Sequence, residues 1–197
     1  MTTHSIWKPC ARGAHHPFKS LLPAALVLLL AACGGGGGSA PPPPGPVTAT
    51  FTPIAAPPGA SVVISGPGTP QSGSITLDIN AQSLPAGTYA VAFDLDFETQ
   101  FVAFSSFQSG SFFEAAGPVS YQVTTAPGNP GKLIVGVSLA GATGGASGSG
   151  RVVSLRFNVQ SNTGTSSLTF AGNTAFAASG AAIPGVTWAA GSIRNQR

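Results

Sequence analysis

Cysteine and histidine are nearly absent from this 197-residue sequence, and both are confined to its first 33 residues. The histidines are His4, His15 and His16, and the cysteines are Cys10 and Cys33. Downstream of residue 33 the chain therefore has no partners for an internal disulfide. It also lacks the side chains of a Ser-His-Asp or Cys-His nucleophile system and of a histidine-ligated zinc site. With these systems excluded, carboxylates are the side chains left for catalysis downstream of residue 33.

Charged residues are also scarce, with eight Lys and Arg and five Asp and Glu in the whole chain. Three of the basic residues precede Cys33, so the five that follow are balanced by the five acids. The formal charge of the downstream chain is therefore zero. Without a basic stripe there is no electrostatic footprint for nucleic acid, and no nucleic-acid partner is expected.

The N-terminal segment has the pattern of an export signal. Three basic residues within positions 8–19 precede an apolar run at 21–30, and such a run is too short to span a bilayer, which takes about 20 residues. Residues 30–33, Leu-Ala-Ala-Cys, resemble the lipobox of bacterial lipoproteins. The resemblance implies cleavage before Cys33 and acylation of that residue; the alternative is an ordinary secreted protein in which Cys33 is incidental. Because Gly34 follows rather than aspartate, the outer membrane or cell surface is the expected location.

Composition divides the sequence into three parts. Residues 1–32 are predicted to be a lipoprotein signal peptide, and residues 33–59 a lipid-anchored linker rich in glycine and proline. Glycines make such a linker flexible and prolines make it a stiffer spacer. Within it, residues 47–58 could also form a loosely held first strand. Residues 60–197 are predicted to be one domain.

The predicted domain contains short apolar runs separated by turn residues, with no helical period. The runs lie at residues 61–65, 74–80, 88–97, 101–107, 119–125, 132–139, 151–160, 166–170 and 185–194. Alternation with a period of two indicates strands with one buried face and one solvated face. About nine such runs predict an all-β fold, a single antiparallel β-sandwich. Its predicted core includes Phe93, Leu95, Phe97, Leu155 and Phe157.

The order of motifs resembles the cohesin domain family. LPAGTYAVAFDLDFETQFVAF is similar to the cohesin pattern of a glycine, an alternating strand, a turn and a second strand. NPGKLIVGVSLAG and SGSGRVVSLRFNV resemble its later half, and IPGVTWAAGSI resembles its terminal strand. The resemblance covers about residues 60–194. It implies a nine-stranded jelly roll in which one sheet face docks a dockerin, a small calcium-loaded helical module carried by enzymes.

The sequence departs from the cohesin pattern at the strand that covers residues 88–97. Cohesins usually have polar residues at the outward positions occupied here by Ala90 and Ala92, and those groups hydrogen-bond the partner. The family's aromatic-Asp-Pro turn is Phe97-Glu98-Thr99 in this chain. The fold is therefore expected to transfer more directly than the partner, because a fold does not fix a function.

Asp94, Asp96 and Glu98 form the only acidic cluster, and their spacing places all three on the outward face. Neighbours on one strand face lie about 6.5 to 7 Å apart, close to the spacing of carboxylates in inverting glycosidases. Catalysis also needs a desolvated acid in a cleft, and calcium needs a denser set of oxygen ligands. We therefore expect neither catalysis nor a metal or cofactor. The predicted partner-binding face consists of Ala90, Ala92, Asp94, Asp96 and Glu98.

Aromatic residues offer an alternative function, since exposed rings in a row can stack on sugars. Trp188 is two residues from Val186, so both lie on the same face of a strand, and Trp188 is expected to face the core. Phe112 and Phe113 could be an exposed contact or a plug at one end of the sandwich. The sequence thus predicts a lipid-anchored, non-enzymatic module of cohesin type that binds a protein, dockerin-like or another envelope protein. The alternatives are a carbohydrate-binding module that holds polysaccharide at the cell surface, and a purely structural envelope protein.

Overall fold

Strands dominate residues 42–141 and 144–197, the part of the chain that the computed structural model describes. The strands are β1 Thr48–Pro53, β2 Ser61–Ser65, β3 Gln71–Ser72, β4 Ser74–Asp96, β5 Val102–Ser109, β6 Val119–Ala126, β7 Asn129–Leu139, β8 Ala146–Val159, β9 Gly164–Ala177, β10 Thr187–Ala189 and β11 Gly191–Gln196. One short helix, α1, covers Ser111–Glu114. The predicted signal peptide and the predicted anchor Cys33 lie outside the described residues.

The strands form a curled sheet whose two layers share the long strand β4. The first half of β4 pairs with β2 and β8, and β5 and β10 complete that layer. The second half of β4 pairs with β7 and β9, and this layer continues to β6 on one side and to β11, β1 and β3 on the other. The predicted all-β sandwich is confirmed.

Strand β4 covers two of the predicted runs, 74–80 and 88–97. Its pairing with β8 is irregular between Ala81 and Thr88. In that stretch Ser83 has φ 49° and Gly87 has φ 81°, a backbone conformation that glycine adopts easily and serine rarely does. Irregular pairing of this kind bends a strand. The bend lets β4 cross from one layer to the other as a single strand, which the sequence pattern does not show.

Two further details refine the sequence prediction. Residues 33–59 are predicted as linker, with a first strand as the alternative within 47–58, and the strand is what is observed at Thr48–Pro53. There β1 pairs antiparallel with β11, and burial of the alternate side chains of Ala49 and Phe51 holds the segment in the sheet. The prediction of antiparallel pairing fails at β10, which pairs parallel with β2.

The predicted core is confirmed. Phe93, Leu95, Phe97, Leu155 and Phe157 are all buried, and the rings of Phe97 and Phe157 pack edge to face at 5.2 Å between centroids. Edge-to-face pairs add to the stabilisation that burial alone provides. These side chains come from facing strands of the two layers, so they tie the layers together.

Helix α1 carries Phe112 and Phe113, and both side chains are buried. Of the two interpretations of this pair, the plug is the one observed. Gly110 precedes the helix, and a side chain there would collide with the backbone of Arg151. The hydroxyl of Tyr121 bonds both backbone groups of Gly110, each at 3.1 Å. Within the described residues no helix is long and apolar enough to cross a membrane.

Candidate functional site

One sheet face is built from the outward side chains of β6, β7, the second half of β4 and the second half of β9. Side chains alternate between core and solvent along these strands, and the register aligns them in rows. Ala90, for example, lies between Ser138 of β7 and Phe176 of β9. We call this surface the β4–β7 face. Its members are Ala90, Ala92, Asp94, Asp96, Ser120, Gln122, Thr124, Lys132, Ile134, Gly136, Ser138, Thr174 and Phe176.

One end of the β4–β7 face is neutral and concave. A depression of about 210 Å³ lies there, with Ala90, Ala92 and Gly136 among its lining residues. Gly136 is paired with Ala92 on one side and with Gln122 on the other. Because these three central positions carry a methyl group or no side chain, the backbone of the sheet is accessible to a close-fitting surface. Phe176 borders the depression at the β9 side.

The other end of the β4–β7 face is charged. The Nζ of Lys132 lies 3.1 Å from Oδ2 of Asp94 and 3.4 Å from Oδ1 of Asp96. The hydrogen bond to Asp94 raises the pKa of Lys132 above its ordinary value, against a smaller opposing effect of desolvation, and the negative charge of Asp96 adds to the rise. Two carboxylates and one ammonium leave a net charge of minus one. The acids that the sequence singles out are therefore partly neutralised within the face.

Glu98 lies beyond the end of β4. Its Oε1 accepts a hydrogen bond of 3.2 Å from the backbone N–H of Ser167, and its own N–H donates to Oγ of Ser166. The structure thus brings Ala90, Ala92, Asp94 and Asp96 together on one face, while the Glu98 carboxylate is bound to the backbone of β9. This carboxylate is less available to a partner than the spacing of the acids alone indicates.

The acidic cluster does not form an assembled catalytic or metal site in the structure. The side chains of Asp94 and Asp96 are 33% and 42% exposed, so neither is desolvated as a general acid would need to be. Among the described residues there is no group of three or more His, Cys, Asp or Glu side chains that could hold a metal ion. The geometry supports contact with a partner better than it supports chemistry.

Lys132, Gly136 and Phe176 are members of the face that the sequence analysis missed. Lys132 and Gly136 lie in the predicted run 132–139, and following its alternation would have placed both outward. Phe176 lies outside the predicted runs, in the part of β9 that follows the irregular pairing between Ala92 and Asp94. That irregularity breaks the period of two on which a strand prediction depends.

The aromatic residues do not form a sugar-stacking platform on the described surface. Trp188 is half-buried and packs against Phe93 and Phe170, with ring centroids 5.7 and 5.2 Å away. The large hydrophobic side chains that are exposed in the described residues are Ile54 and Phe107. A single exposed ring offers no row on which successive sugar units could stack.

The fold and this face define a β-sandwich domain with one open sheet surface that is concave and neutral at one end and charged at the other. The comparison with family models is more specific, since residues 60–194 match the model described as the cohesin domain. The match covers well over half of the sequence, and the chain therefore belongs to the cohesin domain family. This confirms the resemblance seen in the sequence motifs.

Solved structures with the same fold include a type II cohesin domain from the cellulosome of Acetivibrio cellulolyticus, with 14% identity, a TM-score of 0.52 and coverage of 72% of this chain and 94% of that one. A type II cohesin–X-dockerin complex from the same organism gives 14% identity, a TM-score of 0.52 and coverage of 67% and 95%. A non-cellulosomal cohesin from the archaeon Archaeoglobus fulgidus gives 17% identity, a TM-score of 0.48 and coverage of 73% of this chain and 88% of that one. At these identities the likeness to the two Acetivibrio cellulolyticus structures shows the fold alone. No curated protein matches the sequence.

Proposed function

We propose that this chain is a non-enzymatic binding module that docks a protein partner of dockerin type on the β4–β7 face. The observation that carries the proposal is the family match over residues 60–194, because cohesin domains are interaction modules. One of the two type II cohesin structures from Acetivibrio cellulolyticus that share this fold is a complex with an X-dockerin.

The chemistry of the β4–β7 face supports the same proposal. Protein interfaces combine a core depleted in charge with a polar rim. Here the methyl groups of Ala90 and Ala92 and the bare backbone of Gly136 are flanked by the polar side chains of Ser120 and Gln122. Close approach of a rigid partner is possible only where no long side chain stands in the way. The neutral end of the face meets that condition.

The proposal includes attachment to the cell envelope through Cys33. Its support is the lipobox-like sequence at residues 30–33, followed by a segment rich in glycine and proline that ends before β1. Two or more acyl chains give stable anchoring, whereas one alone binds reversibly. The module would then present its β4–β7 face from the outer membrane or the cell surface.

Binding of a panel of purified dockerin modules to the full-length protein tests the proposal. We expect at least one dockerin to bind in calcium and to be released by a chelator, because the dockerin fold depends on calcium. Ala92→Lys places a long charged side chain at the centre of the face and should abolish binding. Asn158→Lys introduces the same charged side chain at an exposed position of β8 in the other layer and should leave binding intact.

Two results would contradict the proposal: no dockerin in the panel binds, or both lysine variants bind equally well. A structural envelope protein would give the first result. The carbohydrate-binding alternative would be indicated if the native protein sedimented with insoluble polysaccharide and bound no dockerin. We do not advance that alternative, since no observation on the described surface favours it.

A further inference from the structure

We propose that the depression at the neutral end of the β4–β7 face receives one bulky apolar side chain of the partner, and that Gly136 is the residue that keeps this socket open. The inference rests on the proposed protein-binding function and deepens it. It names hydrocarbon contact, rather than hydrogen bonding or charge, as the recognition chemistry at the centre of the face.

Gly136 is the first part of the argument, because the fold does not require a glycine at this position. Its φ lies outside the left-handed region, and a methyl group placed on its Cα would meet only Cβ of Gln122, at the ordinary contact distance of 3.9 Å. Glycine in the interior of a strand weakens it, since there is no side chain to pack. Gly136 therefore weakens the strand, and the backbone conformation does not require it. Its effect is to leave open space between Gln122 and Ala92.

The lining of the socket is the second part. Phe176 stands beside Ala90 at the β9 side, while Ser120 and Gln122 supply hydroxyl and amide groups at the β6 side. No charged side chain lines the depression. Its volume of about 210 Å³ compares with about 30 Å³ for each water molecule in the liquid, so several waters fit there. An apolar side chain that displaces these waters against Phe176 and the alanines gains the hydrophobic contribution.

The charged end of the face is the third part. Lys132 already pairs with both Asp94 and Asp96, so a partner gains little by presenting a cation to those acids. Exposed charge pairs mainly affect association rates and salt dependence. The affinity of the partner for the β4–β7 face should therefore depend on the socket, and its dissociation constant should change only weakly with ionic strength.

The test fills the socket without disturbing the fold. Gly136→Val introduces a β-branched side chain that strands accommodate well. Gly68→Val is the matched control, because Gly68 is exposed, has an ordinary φ and would have no atom within 4 Å of an added methyl group. The unfolding midpoint of each full-length variant is measured first, and neither should fall below that of the native protein.

Two probes are then used, the dockerin panel described above and a displayed library of three-helix mini-proteins selected for binding to the native full-length protein. Gly136→Val should lower the affinity of a bound dockerin, and of most selected mini-proteins, by about ten- to a hundredfold, the equivalent of burying one Leu or Phe side chain. Gly68→Val should change neither. The binders lost with Gly136→Val should share an essential Leu, Ile, Met or Phe.

The outcomes separate this inference from the proposed function. If no dockerin binds but the mini-proteins behave as expected, the dockerin-type function fails and the socket stands. If a dockerin binds Gly136→Val as tightly as the native protein, or if Lys and Arg rather than apolar residues are essential in the selected binders, the socket is refuted and the docking function stands. If soluble oligosaccharides compete with the bound partner for the depression, the inference is also refuted.

Discussion

Replacing Phe93 by alanine tests the register of the whole sandwich. Phe93 is 2% exposed, and its ring lies 5.1 Å from that of Phe170 and 5.7 Å from that of Trp188, measured between centroids. Truncation of a fully buried phenylalanine costs about 3 to 5 kcal/mol, because both the transfer free energy and the cavity left behind count against the folded state. The two aromatic contacts favour the upper half of this range, since each adds about 0.5 to 1.5 kcal/mol.

The free energy of unfolding is best measured by urea titration, with the fluorescence of Trp188 as the signal. The other tryptophan, Trp7, belongs to the predicted signal peptide, so in the cleaved protein Trp188 reports on the Phe93 cluster directly. For a domain of this size the loss corresponds to a fall in Tm of roughly 6 to 20 °C. Phe107→Ala is the matched control: the residue is 38% exposed, and its ring contacts only Tyr121 among the aromatic rings described, so the loss should be about 1 kcal/mol or less.

A loss below about 1 kcal/mol for Phe93→Ala would refute the reasoning, because that value is typical of a partly exposed site. It would mean that Phe93 faces solvent. By the alternation of strand β4, Asp94 and Asp96 would then face the core, and the β4–β7 face would not exist as described.

Three further predictions follow from other parts of the molecule. Cys33→Ala should release the protein from membranes without changing its Tm, and persistence in the membrane fraction after a high-salt wash would contradict lipid anchoring. Asp94→Lys combined with Asp96→Lys should slow association of a basic-rimmed partner at low salt and less at high salt, since it reverses the local charge and leaves Lys132 unpaired; unchanged association rates at both salt concentrations would exclude this face. Burial raises the pKa of Tyr121 above its ordinary value of 10.0, so stability should fall as the pH rises past that value, because the unfolded chain ionises first. Tyr121→Phe should reduce this fall, as measured by urea titration between about pH 9 and pH 11.

The buried and exposed faces of individual strands are predicted well from the sequence, because they depend only on local alternation. The period of two along residues 91–97 places Phe93 and Leu95 inside and Asp94 outside, and the structure agrees. The same alternation identifies Leu155 and Phe157 as core. These features need no knowledge of which strands are neighbours, because each strand reports its own buried face.

Features that depend on pairing between distant segments are not accessible in this way. The contact of Lys132 with Asp94 joins residues 38 positions apart, and it exists only because β7 is the neighbour of β4. The parallel pairing of β10 with β2 and the capture of β1 by β11 depend on topology in the same manner. The socket at Gly136 is harder still to predict from the sequence, because it exists where neighbouring strands bring small residues together.

Strand β1 gives the proposed anchored module a mechanical property. The chain reaches the sandwich at Thr48, which is paired with Gln196, and β1 runs from there toward Pro53, paired with Gly191. Along β9, Gly164 pairs with β11 at this same end, whereas Phe176 and Ala90 lie at the opposite end. A pull between the envelope and a bound partner would therefore run lengthwise along β1. All six residue pairs between β1 and β11 would bear the load together in shear instead of separating one after another, so the N-terminal strand is suited to holding under tension.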